Sequence, residues 1–500
     1  MKSNLIVLGV FSNKHILRKM HELKVDDNDV YCTDGFVTYS LRYKNLIDAN
    51  DLTCFLDVDT KNSLNQDTTE FEFLYKKIFG YDNDIIDATR FIFGFQVIEI
   101  ARMMRFLIAS NDNNFVLIHP NMYKVLENIY GIARLNGLGV FICSRPDLNA
   151  QIKLLLLYQK ISMYGRFGYL KYFIFLPFFL FRLRRRILNK TDPQILYNTN
   201  QYCQKICKSR FADKRQESYE GLLPLNLFGF FKNYRQNVRK YKILLKTNIV
   251  FQNFCKSNFA MRSLLVYFYS PFLEYYKESI EKFFLLNKNV TTLIQSTDSS
   301  PHRYLWAKIA NQNNIKTIVT QHGEITEPLV ITCITSMEGV FTTRKSFDLY
   351  KTNKSNWNKK ISYIERVPQE KNTLIKSANL SNVYIFTISY SGYSYDASLV
   401  FNHKMIEDVL DLLEGKKVNV VVKLHPSEKA SLYTDVFKGI SVSDRKINEV
   451  IDDIDLAVCG PSTSYEELSV NGVPTYYYEQ GLQHKYGFPE SNYNKLLEHF

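Results

Sequence analysis

The chain has 500 residues, too many for a single hydrophobic core, and at about 150 residues per domain it divides into two or three units. Lys and Arg outnumber Asp and Glu by 63 to 50, and the resulting net charge of +13 favours an anionic partner: nucleic acid, an anionic membrane or a phosphorylated substrate. The 8 cysteines are scattered without paired CxxC motifs, which argues against a zinc module and a disulfide framework and for reduced cytosolic thiols; only Cys203 and Cys207 lie close, at a helical i,i+4 spacing.

The apolar stretch from Leu5 to Phe11 is too short for a secretory signal, has no small-residue cleavage site after it, and reads as a first strand. Next, "NNFVLIHP" (113–120), a helix-period segment with Met122, Val125, Leu126 and Ile129, a glycine stop at Gly137 and "LGVFICSRP" (138–146) predict strand, helix, strand. In "YLKYFIFLPFFLFRLRRRILNK" (169–190) the apolar core from Tyr172 to Phe181 is about half of the roughly 20 residues that a membrane span requires, and Pro177 interrupts it. Its rings, Phe173, Phe175, Phe178 and Phe179, are followed by Arg182, Arg184, Arg185 and Arg186, a composition suited to the headgroup layer of an anionic membrane; the alternative is a buried helix with a solvated basic end. Residues 195–290 read as mostly helical and carry no recognisable site.

From 289 to 324 a strand (Thr291 to Gln295) leads to a loop with Asp298, Ser299 and Ser300, Pro301 opens a helix, and a second strand (Lys316 to Thr320) ends in Gln321, His322, Gly323 and Glu324. Polar, titratable residues thus gather where two adjacent strands end. The segments 339–350, 360–368 and 382–392 are expected to supply strands, with a helix from about Ser398 to Leu413 before "KVNVVVKLHP" and strand–helix alternation again over 442–479. This alternation predicts an α/β protein with parallel sheets covered by helices on both faces, in two lobes.

In such sheets ligands bind beyond the carboxyl ends of the strands. His425, two residues after Lys423, stands at one such end and is followed by Pro426. After "DLAVCG", Pro461, Ser462, Thr463 and Ser464 open a helix that contains Glu466 and Glu467; free N–H groups and hydroxyls at a helix start suit a phosphate oxygen. The cationic end and the hydroxyl-rich end, separated by one helix-containing crossover, are expected to face one crevice from neighbouring strands.

"KLHP", followed by "DIDLAVCGPSTSYEELSVNGVP" and preceded by "TIVTQHGE", resembles bacterial glycosyltransferases of capsule and lipopolysaccharide synthesis, and in motif style the sialyltransferases and polysialyltransferases, whose HP pair and downstream Ser/Thr pair bind the CMP part of the donor. The resemblance covers roughly residues 289–479. It implies the GT-B fold, two Rossmann-like doubly wound lobes facing a central cleft: an acceptor-side lobe over 1–338 with a helical, membrane-proximal insertion at about 150–288, a donor lobe over 339–480, and a tail over 481–500 packing back on the first lobe. It further implies that His425 contacts the donor phosphate and is placed to protonate it as it leaves, that Ser462, Thr463 and Ser464 hold phosphate oxygens, that Glu466 or Glu467 binds the ribose, and that Ser389, Ser391 and Gly392 form a first phosphate loop. The acceptor hydroxyl must lose a proton as it attacks, so a base is needed, with His322 ranked before Asp298 and Glu324. The short Asp/Glu-Gly motif that supplies this base in such sialyltransferases is not intact here.

The expected partners are a nucleotide-sugar donor such as CMP-sialic acid, a glycan or lipid-linked glycan acceptor and an anionic inner-membrane surface, with the protein cytoplasmic and peripheral. No DxD pair stands in a strand-end loop, so no metal and no further cofactor are expected; "DVD" (57–59) precedes any recognisable site and "DDID" (452–455) leads into a strand. "IHP" (118–120) is read as structural, and His484 as part of a helix in the tail. The CDP-glycerol glycerophosphotransferases share a His-Gly, HP and Ser-Ser order and give a second enzyme reading, a CDP-polyol phosphotransferase. A nucleic-acid-binding protein is the reading from another class, and the spread of basic residues without a recognised DNA or RNA motif argues against it.

Overall fold

The structure, a computed structural model, describes residues 3–8, 11, 13–26, 30–32, 50–51, 73–79, 83–85, 87–88, 113–131, 139–142, 193–219, 227–257, 266–267, 270–297, 301–320, 335–341, 344–352, 358–364, 381–388, 395–426, 428–460, 462–478 and 491–500. Among the described residues the strands form three sheets, and each pairing whose register is defined is parallel. Parallel strands are covered on both faces, which is why they read as unbroken apolar runs such as "FVLI", "VVV" and "LAVC".

The first sheet holds β1 (Ser3–Leu8), β2 (Val30–Cys32), β3 (Asn50–Asp51), β4 (Asn113–Ile118) and β5 (Gly139–Ile142) in the order β3-β2-β1-β4-β5. Helix α1 (Asn13–Leu23) follows β1, and α2 (Pro120–Tyr130) joins β4 to β5. Strand, helix, strand over 113–146 is therefore as expected, but α2 stops at Gly131 instead of Gly137. Gly131 has φ +80°, a conformation that favours glycine over any residue with a Cβ, and its N–H caps the helix on Glu127 O.

The second sheet is built from β6 (Ile195–Tyr197), β7 (Gln216–Ser218), β8 (Thr292–Gln295), β9 (Lys316–Thr320), β10 (Glu338–Phe341) and β11 (Lys360–Tyr363), ordered β11-β10-β9-β8-β6-β7. Between these strands run α3 (Gln201–Arg210), α4 (Leu227–Thr247), α5 (Ile249–Ser257), α6 (Ser270–Leu286), α7 (Pro301–Gln312) and α8 (Arg344–Thr352). The helical expectation for 195–290 holds for α3 to α6 and misses β6 and β7, whose three residues are too few to show a period of two. Residues 339–350 supply a strand only to Phe341 and then α8. Helix α7 begins on Pro301 and buries Trp306 completely, edge-on to Phe283 and Phe284 with ring centroids 5.6 and 5.3 Å away. At the amino ends of the strands, buried Glu338 pairs with Arg210 of α3 at 2.5 Å and with Lys316 of β9 at 3.0 Å.

The third sheet comprises β12 (Asn382–Phe386), β13 (Asn419–Lys423), β14 (Ser441–Ser443), β15 (Leu456–Cys459) and β16 (Thr475–Tyr477), with α9 (Tyr395–Leu412) after β12 and α10 (Thr463–Val470) after β15. Its order, β14-β13-β12-β15-β16, repeats that of the first sheet. Phe401, Met405, Ile406 and Val409 of α9 cover one face, while Val450, Ile454 and Leu468 cover the other.

The chain divides into two compact units, one carrying the first two sheets and the other, continuous over Tyr363–Phe500, carrying the third. Two differences from the expected lobes follow. The N-terminal part holds two sheets because β4 pairs with β1 and not with β8, and β10 and β11 complete the second sheet instead of opening the donor lobe at 339. The described end of the tail packs within its own unit: Leu496 is buried in the core under α9, and Asn492 caps β16 by accepting from Tyr477 N at 2.7 Å. Among the described residues no helix is long and apolar enough to cross a membrane. The segment 169–190, with Phe173, Phe175, Phe178, Phe179, Arg182, Arg184, Arg185 and Arg186, lies outside the described residues, as do "DVD" (57–59) and His484.

Candidate functional site

In the third sheet, Phe386 of central β12 is level with Lys423 of β13 on one side and with Cys459 of β15 on the other. His425 and Ser462 extend two and three residues beyond that row. The expectation of neighbouring strands is corrected: β12 lies between them, because the sheet reverses its order there. Two strand spacings of about 4.8 Å put the two chain ends about 10 Å apart, a separation that a nucleotide spans. The reversal, at β12 and β15, is where parallel sheets open a crevice for ligands.

The start of α10 stands at that reversal. Ser462 occupies the N-cap in extended conformation (φ −148°, ψ 163°) and its side chain makes no capping bond. Its Oγ is buried without a hydrogen-bond partner, and so is Oε2 of Glu466 one turn on. Buried polar atoms are almost always paired, so two orphaned oxygens on one helix start call for an explanation, and a ligand that donates to Glu466 and accepts from Ser462 provides one. Ser464 and Glu467 are half-buried on the same turn, while the side chain of Thr463 and all of Pro461 lie outside the described residues. Gly460 lets β15 reach this position: a Cβ there would stand 2.7 Å from the Phe401 ring and 3.2 Å from Ile388 Cγ2.

The HP loop is held by a buried network that the HP and Ser/Thr motifs do not include. Oε2 of Glu428 accepts from the Thr387 hydroxyl and the His425 N–H (3.2 Å); its Oε1 accepts from Tyr433 OH (2.9 Å) and Asn402 Nδ2 (3.1 Å). Asn402 in turn accepts from Ile388 N at 3.0 Å and donates to Ile388 O at 2.9 Å. One carboxylate therefore ties the end of β12, helix α9 and the His425 turn together. Burial raises its pKa against the pull of those donors. Two signals were present in the sequence: Glu428 in "HPSE", and Asn402, a polar residue sharing the apolar face of Met405, Ile406 and Val409. His425 itself is half-buried and Pro426 is exposed. Lys423 is directed inward: its Nζ donates to Leu424 O at 2.6 Å, and burial lowers its pKa despite Asp444, Glu428 and Glu449 nearby.

Ser389, Ser391 and Gly392, after β12, lie outside the described residues, as do Asp298, His322 and Glu324. The strands that precede Asp298 and His322, β8 and β9, are parallel neighbours with Gln295 opposite Val319. The second sheet reverses its order at β6 and β8, and its polar carboxyl-end residues there are paired: Asn198 Oδ1 accepts from Asn200 N (3.0 Å) and from Ser296 Oγ (3.4 Å), and Cys203 Sγ lies 3.5 Å from Thr320 Oγ1. His119 caps α2, its Nδ1 accepting from Asn121 N at 3.2 Å, and burial lowers its pKa so that the accepting, neutral ring persists; this agrees with a structural role. Cys203, Cys207 and Cys459 are buried, and the Cys207 thiol is pushed up to about 12 by burial and the neighbouring Cys203. Among the described residues no group of three or more His, Cys, Asp or Glu is arranged to hold a metal ion.

No protein-family model matches the chain, and no curated protein is significantly similar to it.

Proposed function

We propose that this protein is a glycosyltransferase of the two-lobed GT-B type that takes a nucleotide-activated sugar, CMP-linked by preference, at the carboxyl ends of the third sheet and extends a capsule or lipopolysaccharide glycan from the membrane surface. The observation that carries the reading is the pair of buried, unpartnered oxygens, Ser462 Oγ and Glu466 Oε2, where the sheet reverses. In this reading the Ser462 hydroxyl and the first N–H groups of α10 take the donor phosphate, and Glu466 takes a ribose hydroxyl. His425, across β12 and fixed through Glu428, protonates the leaving phosphate. A base from His322, Asp298 or Glu324 takes the acceptor proton. The basic aromatic run at 169–190 holds the enzyme on anionic lipid as a peripheral protein.

Isothermal titration of the full chain with CMP, CDP and UDP tests this. CMP should bind tightest, and Ser462→Ala or His425→Ala should each weaken it by about 10-fold or more, the worth of one charge-assisted hydrogen bond. Tighter CDP binding would favour a CDP-polyol substrate. Absence of nucleotide binding, or binding indifferent to both substitutions, would remove the reading.

A further inference from the structure

Helix α4 lies outside the candidate site and has an unusual outer face. Its 21 residues include the cations Lys232, Arg235, Arg239, Lys240, Lys242 and Lys246 and no acid. Positions 231, 235, 239, 242 and 246 recur at steps of four, four, three and four, so they share one side of the helix, and all five are exposed. The adjoining side of the helix is core, with Val238, Tyr241 and Leu245 buried. Lys240 is paired with Glu274 of α6, whereas no ion pair is formed by Arg235, Arg239, Lys242 or Lys246 among the described residues. Like charges at i,i+3 and i,i+4 destabilise a helix, and an opposing anionic surface relieves that cost.

Large apolar groups also stand in water here: on α4 Phe231 is 60% exposed and Ile243, one turn from Arg239 and Lys246, 56%, and Ile249, at the start of the next helix, α5, is 56% exposed. Beside them Lys242 Nζ sits 4.9 Å above the Tyr267 ring, at a pocket of about 270 Å³ lined by Lys242, Leu245, Lys246, Gln252 and Tyr267. A soluble polyanion would satisfy the cations and leave the two isoleucines and the phenylalanine hydrated. A bilayer takes both, with cations at the phosphates and apolar side chains at the acyl boundary.

We propose that the Phe231/Arg235/Arg239/Lys242/Lys246 face of α4, with Ile243 and Ile249, docks on an anionic lipid bilayer, as a contact separate from the 169–190 segment and independent of the donor-site reading. The test is sedimentation of the full chain with vesicles of phosphatidylcholine alone and of 3:1 phosphatidylcholine:phosphatidylglycerol. Arg235→Glu/Arg239→Glu/Lys242→Glu should lower partition onto the anionic vesicles by on the order of 100-fold, both in the otherwise unaltered chain and in an Arg184→Glu/Arg185→Glu/Arg186→Glu background. Ile243→Ser/Ile249→Ser, which keeps every charge, should lower it by about 10-fold, with circular dichroism and CMP binding unchanged. Partition that either set leaves unaltered, or a charge-reversal loss seen equally on heparin while the serine pair loses nothing, would overturn the proposal.

Discussion

Glu428 and Gly460 show how single residues hold the candidate site. Each oxygen of Glu428 faces an N–H that cannot turn into an acceptor, Asn402 Nδ2 on one side and His425 N on the other. In Glu428→Gln the new NH₂ therefore meets a donor in either orientation, and a loss of about 1–3 kcal/mol is expected in urea unfolding, together with weaker nucleotide binding. An unaltered midpoint would show that the network does not position the loop. Gly460→Ala forces a methyl group against the buried Phe401 ring; overpacking of this kind costs about 1–3 kcal/mol, and the melting temperature should fall accordingly. Neither residue stood out from the motif alone, because a carboxylate three positions past a histidine and a glycine before a proline acquire meaning only through partners on other elements.

At the scale of elements, the amino end of the second sheet is tied by charge. Glu338 of β10 is buried, which by itself raises its pKa, but the Arg210 guanidinium and the Lys316 ammonium hold the net value below the ordinary 4.5. A carboxylate with a depressed folded pKa contributes stability that is present above the unfolded value and is lost as pH falls through the folded one. The stability difference between the wild-type chain and Glu338→Gln should therefore be about 1–3 kcal/mol near neutrality and shrink as pH drops below about 4.5. Urea titrations between pH 3 and 7 would read it, and a pH-independent difference would contradict it. The elements themselves were largely legible: β8, β9, β13, β15, α7, α9 and α10 lie within a few residues of where period and turn chemistry put them. The ends of α2 and the switch from β10 to α8 were not, since Gly131 and Gly137 are equally good stops until backbone angles choose between them.

The whole molecule is a set of parallel sheets in two units, and the third sheet has its own cores on both faces. Residues 363–500 produced alone should accordingly give a cooperative thermal transition by circular dichroism and, on the proposed function, bind CMP. A non-cooperative melt would mean that this unit depends on the rest of the chain. The count of sheets was beyond local reading. Ser3 pairs with Asn113 and Ile195 with Thr292, and no pattern within either strand says which distant partner it will find.

By itself the sequence determined the α/β class, the parallel alternation and the placing of His425 and Ser462 to Ser464 at strand ends, because apolar period, proline and helix-start chemistry act over a few residues. Only the tertiary structure decided that β12 separates those ends, that Ser462 and Glu466 keep unpartnered oxygens while Lys423 turns inward, and that α4 presents its cations outward. Strand order, burial and hydrogen-bond completion are set by contacts between residues far apart in the chain, and those contacts exist only once the chain has folded.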